Sequence, residues 1–140
     1  MSRYLLDTHV WLWSIITPHK LGREGLGLLE STGNELFLSA ASSWEIAIKW
    51  AVGRLSLPEP PATYVPSRMQ RTNVEPLAVT HSHALQVAAL PRHHRDPFDR
   101  LLIAQAQLEG VPLVTVDRAL ADYDVETIRA DREAYGAGDV

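Results

Sequence analysis

The stretch from His93 to Asp117, HHRDPFDRLLIAQAQLEGVPLVTVD, decides the reading of the fold. It opens with a helix start: Asp96 suits an N-cap and Pro97 the first helical position. The apolar residues that follow predict a helix ending at Gly110, a natural stop. VPLVTVD (111–117) is the clearest strand of the chain, a short β-branched run closed by an acid. Helix and strand thus alternate within 25 residues.

Working outward, the same alternation continues. RYLLD (3–7) and ELFLS (35–39) read as buried strands, VEPLAV (74–79) as a third and VETI (125–128) as an edge strand. Between them, LGREGLGLLEST predicts a short helix, weakened by its glycines. SSWEIAIKWAVGRL (42–55) predicts a longer one, with Ser42 and Glu45 as a capping box and Gly53 as its stop. Trp44, Ala47, Ile48 and Ala51 share one helical face and are expected in the core, while Ile46 and Trp50 make a further apolar face. LPEPPATYVPSRMQRT begins as a proline-rich connection and turns helical near Ala62. Thr80 caps a helix through HSHALQVAAL, RALADY is a helical turn, and the polar tail after Arg129 is loose. This order predicts an α/β fold, a mainly parallel sheet with helices on both faces.

Composition sets limits. One domain with a true core fits 140 residues. Without cysteine there are no disulfides and no thiolate metal sites. The first residues lack the shape of a signal peptide, and no run approaches the ~20 apolar residues of a membrane helix. A cytoplasmic protein without membrane contact is expected. The net charge of −4 is not that of a general nucleic-acid binder, although residues 61–100 are mildly basic and residues 101–140 acidic.

Parallel sheets place their sites at the carboxyl ends of the strands. Asp7 ends the first strand and Asp117 the clearest one. Glu45 and Asp99 are each expected at the third position of a helix that follows the sheet. If these helices start on one edge, four carboxylates converge. Two unit charges about 4 Å apart interact by ~4 kcal/mol at an effective dielectric of about 20, so such a cluster calls for a counter-charge. Oxygen ligands without cysteine suit Mg²⁺, or Mn²⁺, better than Zn²⁺. A hard cation of that kind serves phosphodiester hydrolysis.

Each acid taken singly has a structural alternative. Glu45 is explained by Ser42 and by an i, i+4 pair with Lys49, Asp96 by the N-cap, Asp99 by the first helical turn and Asp117 by the RALADY turn. Asp7 has no such role unless the next turn uses it. Arg92, His93, His94 and Arg95 form a basic loop beside the expected site, fit for phosphate contact or for plain solvation. His9 could touch a substrate. His81 and His83 read as surface residues at a helix start, and Trp11, Trp13, Trp44 and Trp50 as core or interface material. A haloacid-dehalogenase-type phosphatase would need an Asp-x-Asp motif; His9 stands two residues after Asp7 instead.

LLDTHVWLW, SAASSWEIAIKWAVGRL and HHRDPFDRLLIAQA…GVPLVTVD resemble the signature segments of PIN-domain proteins, and most of all the VapC-type ribonuclease toxins of toxin–antitoxin pairs. The resemblance runs from residue 4 to about 128, with residues 129–140 left as a polar tail. It implies a three-layer α/β/α fold and a Mg²⁺- or Mn²⁺-dependent endoribonuclease leaving a 5′-phosphate and a 3′-hydroxyl. It also implies an RNA substrate, a homodimer and a VapB-type antitoxin whose tail lies along an apolar groove, for which Ile46 and Trp50 would serve. By position the metal-binding and catalytic acids are Asp7, Glu45, Asp99 and Asp117. Asp96 competes with Asp99 for the third place; alignment backward from LVTVD favours Asp99. Thr8, Ser43 and Thr115 would orient the carboxylates or waters. A non-catalytic PIN-like module that only binds RNA or protein is the alternative.

Overall fold

The computed structural model describes residues 2–132. Five strands form one sheet in the order β3-β2-β1-β4-β5, all pairings parallel. They are β1 (Ser2–Leu6), β2 (Asn34–Ser39), β3 (Val74–Leu77), β4 (Leu113–Thr115) and β5 (Thr127–Arg129). The helices are α1 (Thr8–Ile16), α2 (Arg23–Glu30), α3 (Ala40–Ala51), α4 (Pro61–Thr72), α5 (His81–Gln86) and α6 (Pro97–Glu109). The expected mainly parallel α/β sheet is what forms.

Successive residues of the central strands feed opposite cores, as a sheet covered on both faces requires. Leu6 and Val114 join Val10, Trp11, Leu38, Tyr64 and Val74 on the side of α1, α2 and α4. Leu5 and Leu113 join Leu90, Leu102, Ile103 and Leu120 on the side of α6. Leu5 and Leu6 are both wholly buried, and each such side chain contributes about 2 kcal/mol. Helix α3 gives Ile46 to the first core and Ala41 to the second.

The chain winds from β1 out to β2 and β3, then returns to the other side of β1 for β4 and β5. The strand order therefore reverses between β1 and β4, and the crevice at their carboxyl ends is where such sheets hold ligands. Asp7 follows β1 directly, and Asp117 lies two residues beyond β4.

Several local expectations need correction. Ser42 and Glu45 do not form a capping box. Helix α3 starts straight from β2, with Ser39 as N-cap accepting the Ala41 N–H at 3.0 Å. Glu45 therefore lies in the second turn, beyond the reach of a first-turn role. The helix is also turned over relative to the apolar reading: Trp44, Ala47, Ile48 and Ala51 are exposed, whereas Ser42, Glu45 and Ile46 are buried. Ile46 is thus core, not groove surface. Helix α4 is longer than expected, at 12 residues, and carries Pro66 inside it. The strand within VPLVTVD pairs over three residues only. His83 is buried, against the surface reading, while His81 is exposed.

Other signals act as read. Asp96 caps α6, accepting from the Phe98 N–H at 2.9 Å, and Gly110 takes the left-handed φ of 67° just past its end. Beyond β5, Ala130 is buried and Asp131 bridges to Leu21, so the start of the expected tail is packed. Gly25 lies so close that a Cβ there would come within 2.6 Å of the Ala130 carbonyl oxygen. Residues 133–140 of that tail lie outside the described residues. Among the described residues no helix is long and apolar enough to cross a membrane.

Candidate active site

Asp7 is the centre of the crevice. It occupies the N-cap position of α1, yet its side chain makes no capping hydrogen bond. The Thr115 hydroxyl donates to its Oδ2 at 2.8 Å, while Oδ1 is buried with no partner. A buried carboxylate oxygen without a partner costs about 1–3 kcal/mol. Burial pushes the Asp7 pKa upward; the Thr115 hydrogen bond and His9 hold it back, and the Glu45 charge adds to the rise.

Thr115, the last residue of β4, has a second use. Its hydroxyl oxygen accepts the Asp117 N–H at 3.0 Å. Asp117 caps the following 3-10 turn through Oδ1, which accepts from the Ala119 N–H at 2.9 Å, so its structural role is real. Its Oδ2 still faces His94 Nε2 at 3.6 Å. The same His94 nitrogen lies 2.7 Å from Asp99 Oδ2. One ligand atom from each of His94, Asp99 and Asp117 falls within 4.8 Å of the others.

Asp99 sits in the first turn of α6, as expected. Its pKa is pushed up to about 7, first by burial and then by the Asp7 charge, with Asp96 adding and His94 opposing. Asp7 and Asp99 therefore act on each other directly, and Asp7 and Glu45 do the same. Glu45 is buried on α3, and its Oε2 accepts from Lys49 Nζ at 2.6 Å, the predicted i, i+4 pair. The four acids named from the sequence are thus brought into one linked group: Asp7 interacts with Glu45 and Asp99, and His94 joins Asp99 to Asp117. Asp96, by contrast, spends Oδ1 on the cap of α6.

The supporting residues divide. Thr115 binds an acid. Thr8 instead donates to Ser42 Oγ at 2.7 Å, so it is buried Ser42 that ties α3 to the start of α1. Ser43 makes no side-chain hydrogen bond among the described residues. Within the basic loop only His94 enters the acid cluster. Arg92, His93 and Arg95 are exposed, and His93 packs edge-on against Tyr123 at 5.1 Å.

Two residues were missed altogether. The Arg100 guanidinium donates to the carbonyls of Pro91 and Val87, at 2.8 and 3.2 Å, and the Tyr123 hydroxyl accepts the His94 N–H at 2.8 Å. Together they hold the loop that delivers His94. Their partners are loop backbone groups, which leave no signature in side-chain patterns.

A divalent cation fits this donor set. The carboxylates repel one another, Asp99 takes up a proton near neutrality, and Asp7 Oδ1 has nothing to accept from.

The family model of the PIN domain matches residues 4–126. Ribonuclease VapC22 of Mycobacterium tuberculosis is 32% identical over 124 residues, 88% of this chain and 93% of that protein. Ribonuclease VapC16 of the same organism is 48% identical over 60 residues, 43% of either chain. Among solved structures, VapBC2 from Rickettsia felis superposes with a TM-score of 0.70 at 17% identity, covering 92% of this chain and 99% of that one. VapBC-5 from M. tuberculosis gives 0.60 at 21%, with the same coverage. At such identity these superpositions speak for the fold alone. The family match runs through every element that carries one of the four acids, and the chain belongs to the PIN-domain family.

Proposed function

We propose that this chain is a Mg²⁺- or Mn²⁺-dependent endoribonuclease, the toxin of a VapBC-type toxin–antitoxin pair, hydrolysing RNA phosphodiester bonds. The observation that carries the reading is the buried Asp7 carboxyl, held by Thr115 through one oxygen and unpartnered at the other, among three further acids. The relatives named ribonuclease VapC support it.

In this reading Asp7 and Asp99 would hold the principal cation, Glu45 would hold a second one or position the attacking water, and Asp117 would support the cluster. The bound ion would supply an activated water and offset charge on the phosphate oxygens. The remaining work is done by the chain. Thr115 fixes the Asp7 carboxyl in one orientation. Lys49 pairs with Glu45 and places a positive charge beside it. His94 fixes Asp99 and touches Asp117, and Arg100 and Tyr123 hold the His94 loop in place.

The partner side of the reading is a VapB-type antitoxin, together with a homodimer in the cytoplasm. Trp44 on α3 and Val52 just past its end, 60% and 64% exposed, offer apolar surface suited to protein contact.

The test is RNA cleavage by purified Asp7→Asn protein whose circular dichroism matches wild type. Loss of cleavage is expected. Undiminished cleavage overturns the scheme. A wild-type chain that binds RNA without cutting it under Mg²⁺ or Mn²⁺ would instead be the non-catalytic module.

A further inference from the structure

A groove of about 410 Å³ is lined by α1 and α3 and reaches Thr8 and Glu45, so it meets the acid cluster at Glu45. Its wall is apolar at Trp13 and Ile16, and three cations line it: Lys20, Lys49 and Arg54. Glu45 is the one acid among the lining residues, and Lys49 already pairs with it. The surplus is two positive charges, in a chain whose net charge is −4.

A ring contact brings Lys20 to the groove and a backbone turn brings Arg54 there. Lys20 Nζ lies over the Trp13 ring, 5.0 Å from its centroid. Arg54 follows the left-handed Gly53 (φ 78°) that ends α3. Its N–H bonds the Lys49 carbonyl at 2.8 Å and the Gly53 N–H bonds that of Trp50 at 3.1 Å, a Schellman turn that brings the chain back to the groove. Among the described residues Arg54 has no carboxylate within 4 Å.

We propose that this groove is the subsite for the single-stranded RNA segment adjoining the cleaved bond, with phosphates on Lys20 and Arg54 and a base against Trp13. The inference rests on the ribonuclease reading and adds to it where the strand runs. Charge selects a polyanion. The half-buried aromatic wall selects one with exposed bases, since paired bases in a duplex offer no face for stacking.

The probe is a fluorescent library of random single-stranded 12-mer RNA, bound to full-length protein in the Asp7→Asn background so that the RNA stays whole. Each phosphate contact to a single strand contributes about 0.7 to the slope of log K against log salt. Lys20→Ala with Arg54→Ala should lower that slope by about 1.4 and weaken binding roughly 25-fold at 0.1 M salt. With Asp7 restored, KM for RNA should rise while kcat at saturation stays within about twofold. Lys20→Gln with Arg54→Gln should behave alike, which separates charge from side-chain length.

An unchanged slope and KM overturns the groove assignment while RNA cleavage keeps the ribonuclease reading. RNA affinity untouched but binding of the VapB-type antitoxin lost would make this a protein groove, and also overturns it. A wild-type chain that neither binds nor cleaves RNA overturns both readings together.

Discussion

His83 and His94 each bring Nε2 close to a carboxylate, 2.9 Å from Glu109 and 2.7 Å from Asp99. The surroundings then diverge. His83 is buried, and its Nδ1 accepts the Thr80 N–H at 3.0 Å, which places the ring proton on Nε2 for Glu109. Thr80 in turn accepts the His83 N–H, completing a capping box around α5. Every polar atom of that ring is used, and the contact ties α5 to the end of α6. His94 is half-buried and faces two acids, Asp99 and Asp117, with Asp7 acting on Asp99 from behind. The first pair is closed upon itself. The second belongs to a cluster whose charges are not balanced from within.

That contrast can be broken or sharpened by measurement. The largest effect is expected from Asp99→Asn, which should lower RNA cleavage several hundred-fold or more, about 3–4 kcal/mol of barrier, with the fold kept. Equal cleavage by this variant and wild type would erase the distinction between the pairs. His83→Ala should do the reverse. It leaves Glu109 and the Thr80 N–H short of a partner and opens a cavity, so stability in urea should fall by about 3 kcal/mol while cleavage per folded molecule is unchanged.

A smaller effect comes from the cation. Asp99 keeps its proton in the folded chain up to about pH 7, whereas its ordinary value is 3.8. The folded state therefore binds more protons across that interval, and the metal-free protein loses stability as pH rises from about 4 to 7. A cation competes with that proton. The Mg²⁺-induced stabilisation, read from Tm, should be slight at pH 5 and grow through pH 7, reaching about 2.7 kcal/mol at a hundredfold excess over Kd. A rise independent of pH would show that Asp99 is not displaced by the ion. Smallest is Glu109→Gln, which retains an acceptor for His83 and should cost about 1 kcal/mol in urea with no change in cleavage.

The two pairs also differ in how far they could be read from sequence. Asp99 was legible because Asp96 and Pro97 fix the start of α6, and that fixes where the next acid points. Asp7 was legible because an acid closing an apolar strand had no local use, and the structure gives it no capping bond. His83 was misread as surface because its carboxylate is 26 residues away, out of reach of any local pattern. Helix α3 was misread for a related reason. Hydrophobic periodicity assumes that the apolar face is buried, and here Ser42 and Glu45 face inward because Thr8 and Asp7 are there. The true start of α3 at Ser39 was hidden because β2 runs into it without a turn. A polar face buried for chemistry looks, in sequence alone, like an ordinary solvated one.

The hydrogen bond from Thr115 to Asp7 spans 108 positions of the chain. Synthesis delivers Asp7 first and its partner only 108 residues later. A ribosome partway through this message therefore carries an incomplete pocket, and a product truncated before β4 lacks the strand that closes it.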